Sequence, residues 1–247
     1  MISVTGASSQ NNWEITLNFN EHGNMGDITS GIMPASLGYP ISRNYYFYKS
    51  HYFDFKLVAI DRANKKVRVT FSGRLYNQNN MIDYETVEGS FQATYTEVTP
   101  VVPGLEVSAK IDGANWYSSG FYAGGFLGNA NTNLQSLNDN KYTIGIVTNH
   151  DTSVTGTYAF DADELTNKVI LYEFDTVARQ QREYINSTGS ITLSSKTVGP
   201  LYTVIQGTFN LTATHPVSGT AVTVTNGMYK YSYNTFTGQY FNPQWQQ

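Results

Sequence analysis

The chain has 247 residues, 40% hydrophobic and only 14% charged, where about 25% charged is usual for soluble domains. Net charge is -4, the longest basic cluster is Asn64 to Arg68 ("NKKVR"), and there is no cysteine, so a basic nucleic-acid groove, disulfides, thiolate metal sites and cysteine nucleophiles are all excluded. No apolar run reaches the roughly 18 residues of a membrane-spanning helix.

In chain order, alternation at period two recurs and sustained helical spacing does not. The opening "MISVTGASSQ" has neither a charged nor a long apolar leader region. The Ser-, Asn- and Tyr-rich composition therefore predicts a mature extracellular chain whose signal segment has been removed. "WEITLNF" places Trp13, Ile15, Leu17 and Phe19 on one face of a strand. "NYYFYKSHYFDF" follows, from Asn44 to Phe55, with Tyr46, Tyr48 and Tyr52 on one face and Tyr45 and Phe47 on the other. A sandwich strand has one core face, so one of these rows is expected at a surface or at a contact between domains. "KVRVTFSGRLY" aligns Val67, Val69 and Phe71, and "TVEGSFQATY" closes the first half.

Two prolines, Pro100 and Pro103, interrupt the pattern and mark a stiff linker over residues 99–104. Beyond it, Val107, Ala109 and Ile111 alternate up to Asp112-Gly113, a hairpin signal. Trp116 is expected to fold back onto the core. Tyr142, Ile144 and Ile146 share a face, and the only helix candidate is a turn within Asp161 to Lys168. "TVIQGTFNLTAT" repeats the Gly-hydroxyl-Phe phrase of the first half, and Asn226-Gly227 lies inside the last strand as a turn or a bulge. The tail then supplies Phe236, Tyr240, Phe241 and Trp245 beside Asn and Gln.

The repeated phrase, and the alignment of Trp13–Leu17 with Tyr142–Ile146, predict an all-β protein of two tandem antiparallel β-sandwich domains. These are residues 1–98 and 105–247, read as a structural duplication. The first copy is expected to lack the opening hairpin that residues 105–120 give the second.

The run "AKIDGANW" (Ala109 to Trp116), the Gly156-Thr157-Tyr158 strand, the Gly207-Thr208-Phe209 strand and the closing "VTVTNGMYKYSY" together resemble the small secreted β-sandwich lipoproteins of Bacteroidota. The likeness is clear over residues 105–233 and loose over 1–98. It implies an outer-envelope location and a lipid anchor on the removed N-terminus. It carries no catalytic residues across.

The chemistry legible in the residues is recognition rather than catalysis. Four histidines are dispersed, with His22 and His150 read as solvated turn residues. There is no Gly-x-Ser-x-Gly elbow. Asp54, Asp83, Glu85, Glu173 and Asp175 could supply the two carboxylates, about 5 to 9 Å apart, of a glycosidase, but any β protein offers such a set. "NDN" (Asn138 to Asn140) and "DADE" (Asp161 to Glu164) read as acidic turns rather than calcium loops. No cofactor or metal ion is expected. Flat rings beside amides suit stacking on sugars or adhesion to proteins. Tyr46, Tyr48, Tyr52, Tyr240 and Trp245 are therefore the ligand-binding candidates of a non-catalytic envelope or secreted protein that binds a glycan or a surface protein. The alternatives are a subunit of a surface assembly built by strand addition and a glycoside-active enzyme.

Overall fold

The computed structural model describes residues 2–8, 13–32, 42–43, 53–77, 80–96, 99–124, 131–137, 141–175, 177–178 and 180–241. The chain is all-β, of the β-sandwich class, and among the described residues every element is a strand. The chain divides into two compact units. The first holds Met1–Val98 with Asn138–Lys141 and Phe174–Gln180, and the second holds Thr99–Leu137, Tyr142–Glu173 and Gln181–Gln247.

The first unit contains β1 (Ile2–Ser8), β2 (Trp13–Phe19), β3 (Met25–Ile32), β4 (Ser42–Arg43), β5 (Phe53–Asp61), β6 (Lys66–Asn77) and β7 (Asn80–Thr94). They form one sheet in the order β1-β2-β3-β4-β6-β5, with β7 also paired to β6. Its core is Leu17, Phe19, Met25, Phe53, Val67 and Val69. Leu17 and Phe19 of β2 and Val67 and Val69 of β6 are alternating positions that the sequence places on one face, and Met25 and Phe53 open β3 and β5. The rings of Phe19 in β2 and Phe55 in β5 stand 5.1 Å apart although the two strands are not neighbours in the sheet. The sheet therefore folds over at the two-residue β4 and closes on its own apolar face. The unit opens on the hairpin β1–β2, in which Ile2 pairs with Phe19 and packs against the core. The first strand that alternation picks out in this unit is Trp13–Phe19, and β1 escapes it because "ISVTGAS" carries only two large apolar residues.

The second unit contains β8 (Glu106–Ile111), β9 (Ala114–Tyr117), β10 (Gly120–Gly124), β11 (Asn131–Leu137), β12 (Tyr142–Asn149), β13 (Gly156–Phe160), β16 (Ile185–Val198), β17 (Tyr202–Thr214) and β18 (Ala221–Asn234), together with β14 (Lys168–Asp175) up to Glu173 and β15 (Gln180–Glu183) from Gln181. Two sheets result, β10-β11-β12-β14-β15 and β13-β16-β17-β18-β8-β9. One core joins them, drawing Leu134, Ile144, Ile146 and Leu171 from the first and Val107, Trp116, Phe209 and Tyr231 from the second. Tyr231 is fully buried, and its hydroxyl meets Thr148 Oγ1 of the opposite sheet at 2.8 Å. A buried hydroxyl left without a partner would cost free energy, so this bond fixes where the two sheets meet. β12 is buried on both faces. Its second side forms a separate cluster of Val147 with Ile170 and Tyr172.

Local signals behave as their chemistry requires. Asp112 (φ 49) and Gly113 (φ 83) make the two-residue turn between β8 and β9, and Asp112 Oδ1 accepts the Thr223 N–H at 2.8 Å. Asn226-Gly227 is a bulge rather than a turn: Asn226 has φ 52, and the register of β18 shifts against both β17 and β8 there. The helix candidate over 161–168 is a turn, with Asp161 Oδ1 accepting the Asp163 N–H at 2.9 Å.

The aligned segments of the two halves do not share a pairing scheme. β2 turns directly back into β3, whereas β12 is followed by β13 in the other sheet, and β5 pairs with β6 where β14 pairs with β12. What the two phrases share is packing. Gly89 lies opposite Phe71, and Gly207 lies opposite Tyr229. The same opposition recurs at Phe160–Gly189 and Phe209–Gly227. At Gly207 the fit is tightest. The Tyr229 ring spans it, and its hydroxyl donates to the Thr192 carbonyl at 3.1 Å. A Cβ at Gly207 would stand 1.7 Å from that carbonyl oxygen and 2.7 Å from the tyrosine hydroxyl. At Gly89 the nearest atom would be the tip of the Phe71 ring at 2.9 Å. Gly207→Val is therefore expected to cost roughly 3 kcal/mol or more and Gly89→Ala about 1 kcal/mol, read as shifts in the urea midpoint. Equal midpoints for wild type and Gly207→Val would refute the packing assigned here.

Candidate functional site

β8 begins at Glu106, opposite Lys230, so the last part of β18 runs on past it. The C-terminal tail fills this edge. Asn234 N–H donates to the Gln239 carbonyl at 2.8 Å, and Phe241 N–H donates to the Ser232 carbonyl at 3.1 Å. The turn between them is set by Asn234, whose Oδ1 accepts the N–H groups of Phe236 and Thr237, both at 2.9 Å. Gly238 completes it with φ 67, a conformation that suits glycine. Its carbonyl accepts the buried Thr132 hydroxyl at 2.7 Å, and a Cβ on it would lie 2.4 Å from His150 Nδ1. The tail is thus strapped across the end of the sandwich, bonded to β18 of one sheet and β11 of the other.

The adjoining turn between β16 and β17 is tied to the same strap. Thr235 N–H donates to the Leu201 carbonyl at 3.2 Å, and Thr235 Oγ1 donates to the Gly199 carbonyl at 2.9 Å. Three large apolar side chains point outward from these joined turns: Val198 (64% exposed), Leu201 (57%) and Phe236 (76%). Beside them Tyr202 and Phe241 stack with centroids 5.6 Å apart and planes 14° from parallel. Single exposed apolar residues are ordinary, but three displayed from turns that are hydrogen-bonded to one another are a candidate interaction surface.

Of the five candidates read from sequence, Tyr46, Tyr48, Tyr52 and Trp245 lie outside the described residues. Tyr240 is half-buried, bridges to Tyr233 and packs on the core, and burial pushes its hydroxyl pKa up to about 12. Among the described tail aromatics Phe236 is the one displayed. Val198 and Leu201 were missed; the signal for them is the pair of aliphatics flanking Gly199-Pro200, a turn where polar residues are the norm.

The histidines divide. His22 is exposed in the turn after β2, as read. His150 is not a solvated turn residue: its side chain is 8% exposed, set edge-on to Tyr233 at 6.4 Å and 3.4 Å from Asp151 Oδ1. The reason is the tail, whose Gly238 covers it. His215 completes a row of Ser218, His215 and Glu173. Nε2 lies 2.8 Å from Glu173 Oε1, and Nδ1 lies 3.0 Å from Ser218 Oγ. This geometry does not make a nucleophile. Nδ1 already accepts the Ser218 N–H at 3.0 Å and the Val217 N–H at 3.3 Å, so it has no lone pair left for a serine proton. That assigns the imidazole proton to Nε2, donated to Glu173. Ser218 Oγ in turn donates to Thr220 Oγ1 at 3.0 Å. Tyr184 donates to the other carboxylate oxygen at 2.8 Å, and burial together with that carboxylate raises its pKa. The cluster clasps the β17–β18 hairpin to β14. Among the described residues no three His, Asp or Glu side chains gather as a cation site.

No protein-family model matches the chain, and no curated protein or solved structure matches it.

The buried hydroxyls give a pH prediction. Burial raises Tyr172, Tyr233 and Tyr240 from 10.0 to about 12 each. Each binds its proton more tightly in the folded chain, so its contribution to stability is complete below pH 10 and is lost as pH rises towards 12. Absorbance at 295 nm is expected to show exposed tyrosines ionising near pH 10 and a second group ionising only with unfolding. A single ionisation near pH 10 with the fold intact would contradict the burial of these three rings.

Proposed function

We propose that this is a non-catalytic binding protein of the bacterial outer envelope or the secreted compartment. It belongs with the small β-sandwich lipoproteins its second half resembles, and it holds a glycan or a surface protein against exposed apolar and aromatic side chains. The observation that carries the reading is the cluster of Val198, Leu201 and Phe236, fixed by the bonds of Thr235 and Asn234 on two joined turns. A display held by backbone bonds loses little conformational entropy when a partner arrives. The two aliphatic members favour a protein surface over a sugar, since a pyranose stacks on a flat ring and gains little from branched aliphatics. The low charge of the chain supports an extracellular setting, where neutral polar surfaces are common. The Ser218–His215–Glu173 row supports binding over hydrolysis because its imidazole is committed to the loop backbone.

The test is the double variant Phe236→Ala/Leu201→Ser, whose sites are exposed and whose melting temperature is expected to stay within a few degrees of wild type. Labelled wild type is expected to bind members of an array of purified bacterial and host surface proteins and glycans. The double variant is expected to lose at least roughly tenfold in affinity, since truncating two hot-spot side chains commonly costs more than 1.4 kcal/mol. A blank array, or equal binding by both proteins, would refute the reading.

A further inference from the structure

A second surface lies on the six-stranded sheet of the same unit, ending at Glu106 and Lys230 where the tail takes over the edge of β18. A trough of about 380 Å³ crosses β16, β17, β18 and β8, within the size range of ligand sites. It sits where two irregularities meet. Ser194 has no partner between the pairs Leu193–Gly207 and Ser195–Gln206, and the register of β18 against β8 shifts between Thr225 and Met228. Bulges bend the strands that carry them and increase their twist, which turns a flat face into a concave one.

The lining mixes polar groups with apolar surface. Ser108, Ser194, Gln206 and Thr208 contribute neutral hydroxyl and amide groups, and Met228, 58% exposed, contributes an apolar platform. Among the described residues none of those four polar side chains is used in a hydrogen bond within the protein. The charges present oppose each other: Glu106 and Lys230 face one another in register at one end, and Lys230 Nζ also donates to the Pro103 carbonyl at 2.7 Å. The trough is therefore neutral in sum and rich in uncommitted hydrogen-bonding groups.

We infer that this trough is a binding site for a neutral oligosaccharide chain, lying across the strands with a sugar ring over Met228 and its hydroxyls bonded to Gln206, Thr208, Ser194 and Ser108. An anionic chain finds no net positive charge here. An extended peptide is disfavoured for a different reason. All four strands are interior to the sheet, so apart from the bulged positions their backbone groups are spent on the ladders and they offer no edge for an added peptide strand. A saccharide needs only side-chain partners. The site is separate from the cluster at Phe236, and the two fail independently.

The experiment is calorimetric titration of the full chain with cellohexaose, xylohexaose and mannohexaose, alongside hexagalacturonate and a (Gly-Ser)₅ peptide. At least one neutral hexaose is expected to bind. Gln206→Ala/Thr208→Ala, both at exposed positions, is expected to weaken it about tenfold through loss of two hydrogen-bonding groups. Phe236→Ala is expected to leave it unchanged. The inference is overturned if no neutral hexaose binds, if hexagalacturonate or the peptide binds as well as the best neutral chain, if the trough variant binds like wild type, or if Phe236→Ala removes the binding.

Discussion

Among the described residues five antiparallel pairs set an aromatic ring opposite a glycine, Phe53–Gly73 and four close-packed ones that shape the packing of the sheets. Phe71 faces Gly89, Phe160 faces Gly189, Phe209 faces Gly227 and Tyr229 faces Gly207. At Gly89 and Gly227 the ring occupies the volume that a β-carbon would take, and at Gly189 and Gly207 the ring shares it with backbone of the neighbouring strand. A glycine in a strand is a cost in conformational entropy. Here that cost is offset by the apolar area the ring covers, and aromatic pairs of this kind also pin the register. The repeated sequence phrase is thereby explained at the level of contacts: the glycine of "EGSF" and that of "QGTF" are both seats for a ring on the next strand.

The strapped end of the second unit is an extension of the same order. Tyr229, Tyr231 and Tyr233 follow one another on the core face of β18, with ring centroids 6.0 and 6.3 Å apart. Tyr231 fixes the opposite sheet through Thr148, and Tyr233 receives the tail at Tyr240 and the His150 ring at its edge. The tail can lie there because β8 stops opposite Lys230. Gly238 is then one more glycine beneath a ring, that of His150. Phe236 is displayed because every neighbour in its turn is already bonded. The binding proposed for this end thus rests on a rigid scaffold, and the trough on the sheet face rests on the bulges that the close-packed glycine strands accommodate.

Much of this architecture is legible in the residues. Period-two alternation locates β2, β6, β8 and β17; Asp112-Gly113 gives its hairpin; and Trp116 is buried as its place after that hairpin requires. Pattern reading fails where burial is not one-sided. In β12 alternation picks out Tyr142, Ile144 and Ile146 but not the burial of Thr143, Gly145 and Val147 on the opposite face. β1 is short of large apolar residues and is held by pairing with β2, which a local pattern does not encode. His22 and His150 occupy similar turns in the sequence but differ in exposure, because the segment that covers His150 lies almost ninety residues further along. Of the candidate site, the tail aromatics are visible in sequence, yet which ring is buried and which displayed depends on the Asn234 cap and on the length of β8. Val198 and Leu201 join the cluster only through the bonds of Thr235, a tertiary fact.

The most direct test of the ring-over-glycine account is a double-mutant cycle at Phe209 and Gly227, where the three atoms nearest to an added β-carbon all belong to the Phe209 ring, the closest at 2.5 Å. Unfolding free energies would be measured for wild type, Gly227→Ala, Phe209→Leu and the double variant. The account predicts that Gly227→Ala costs more than about 1 kcal/mol beside phenylalanine and less than half of that beside leucine, a coupling well outside the roughly 0.5 kcal/mol scatter of independent sites. An equal cost of Gly227→Ala in both backgrounds would contradict it.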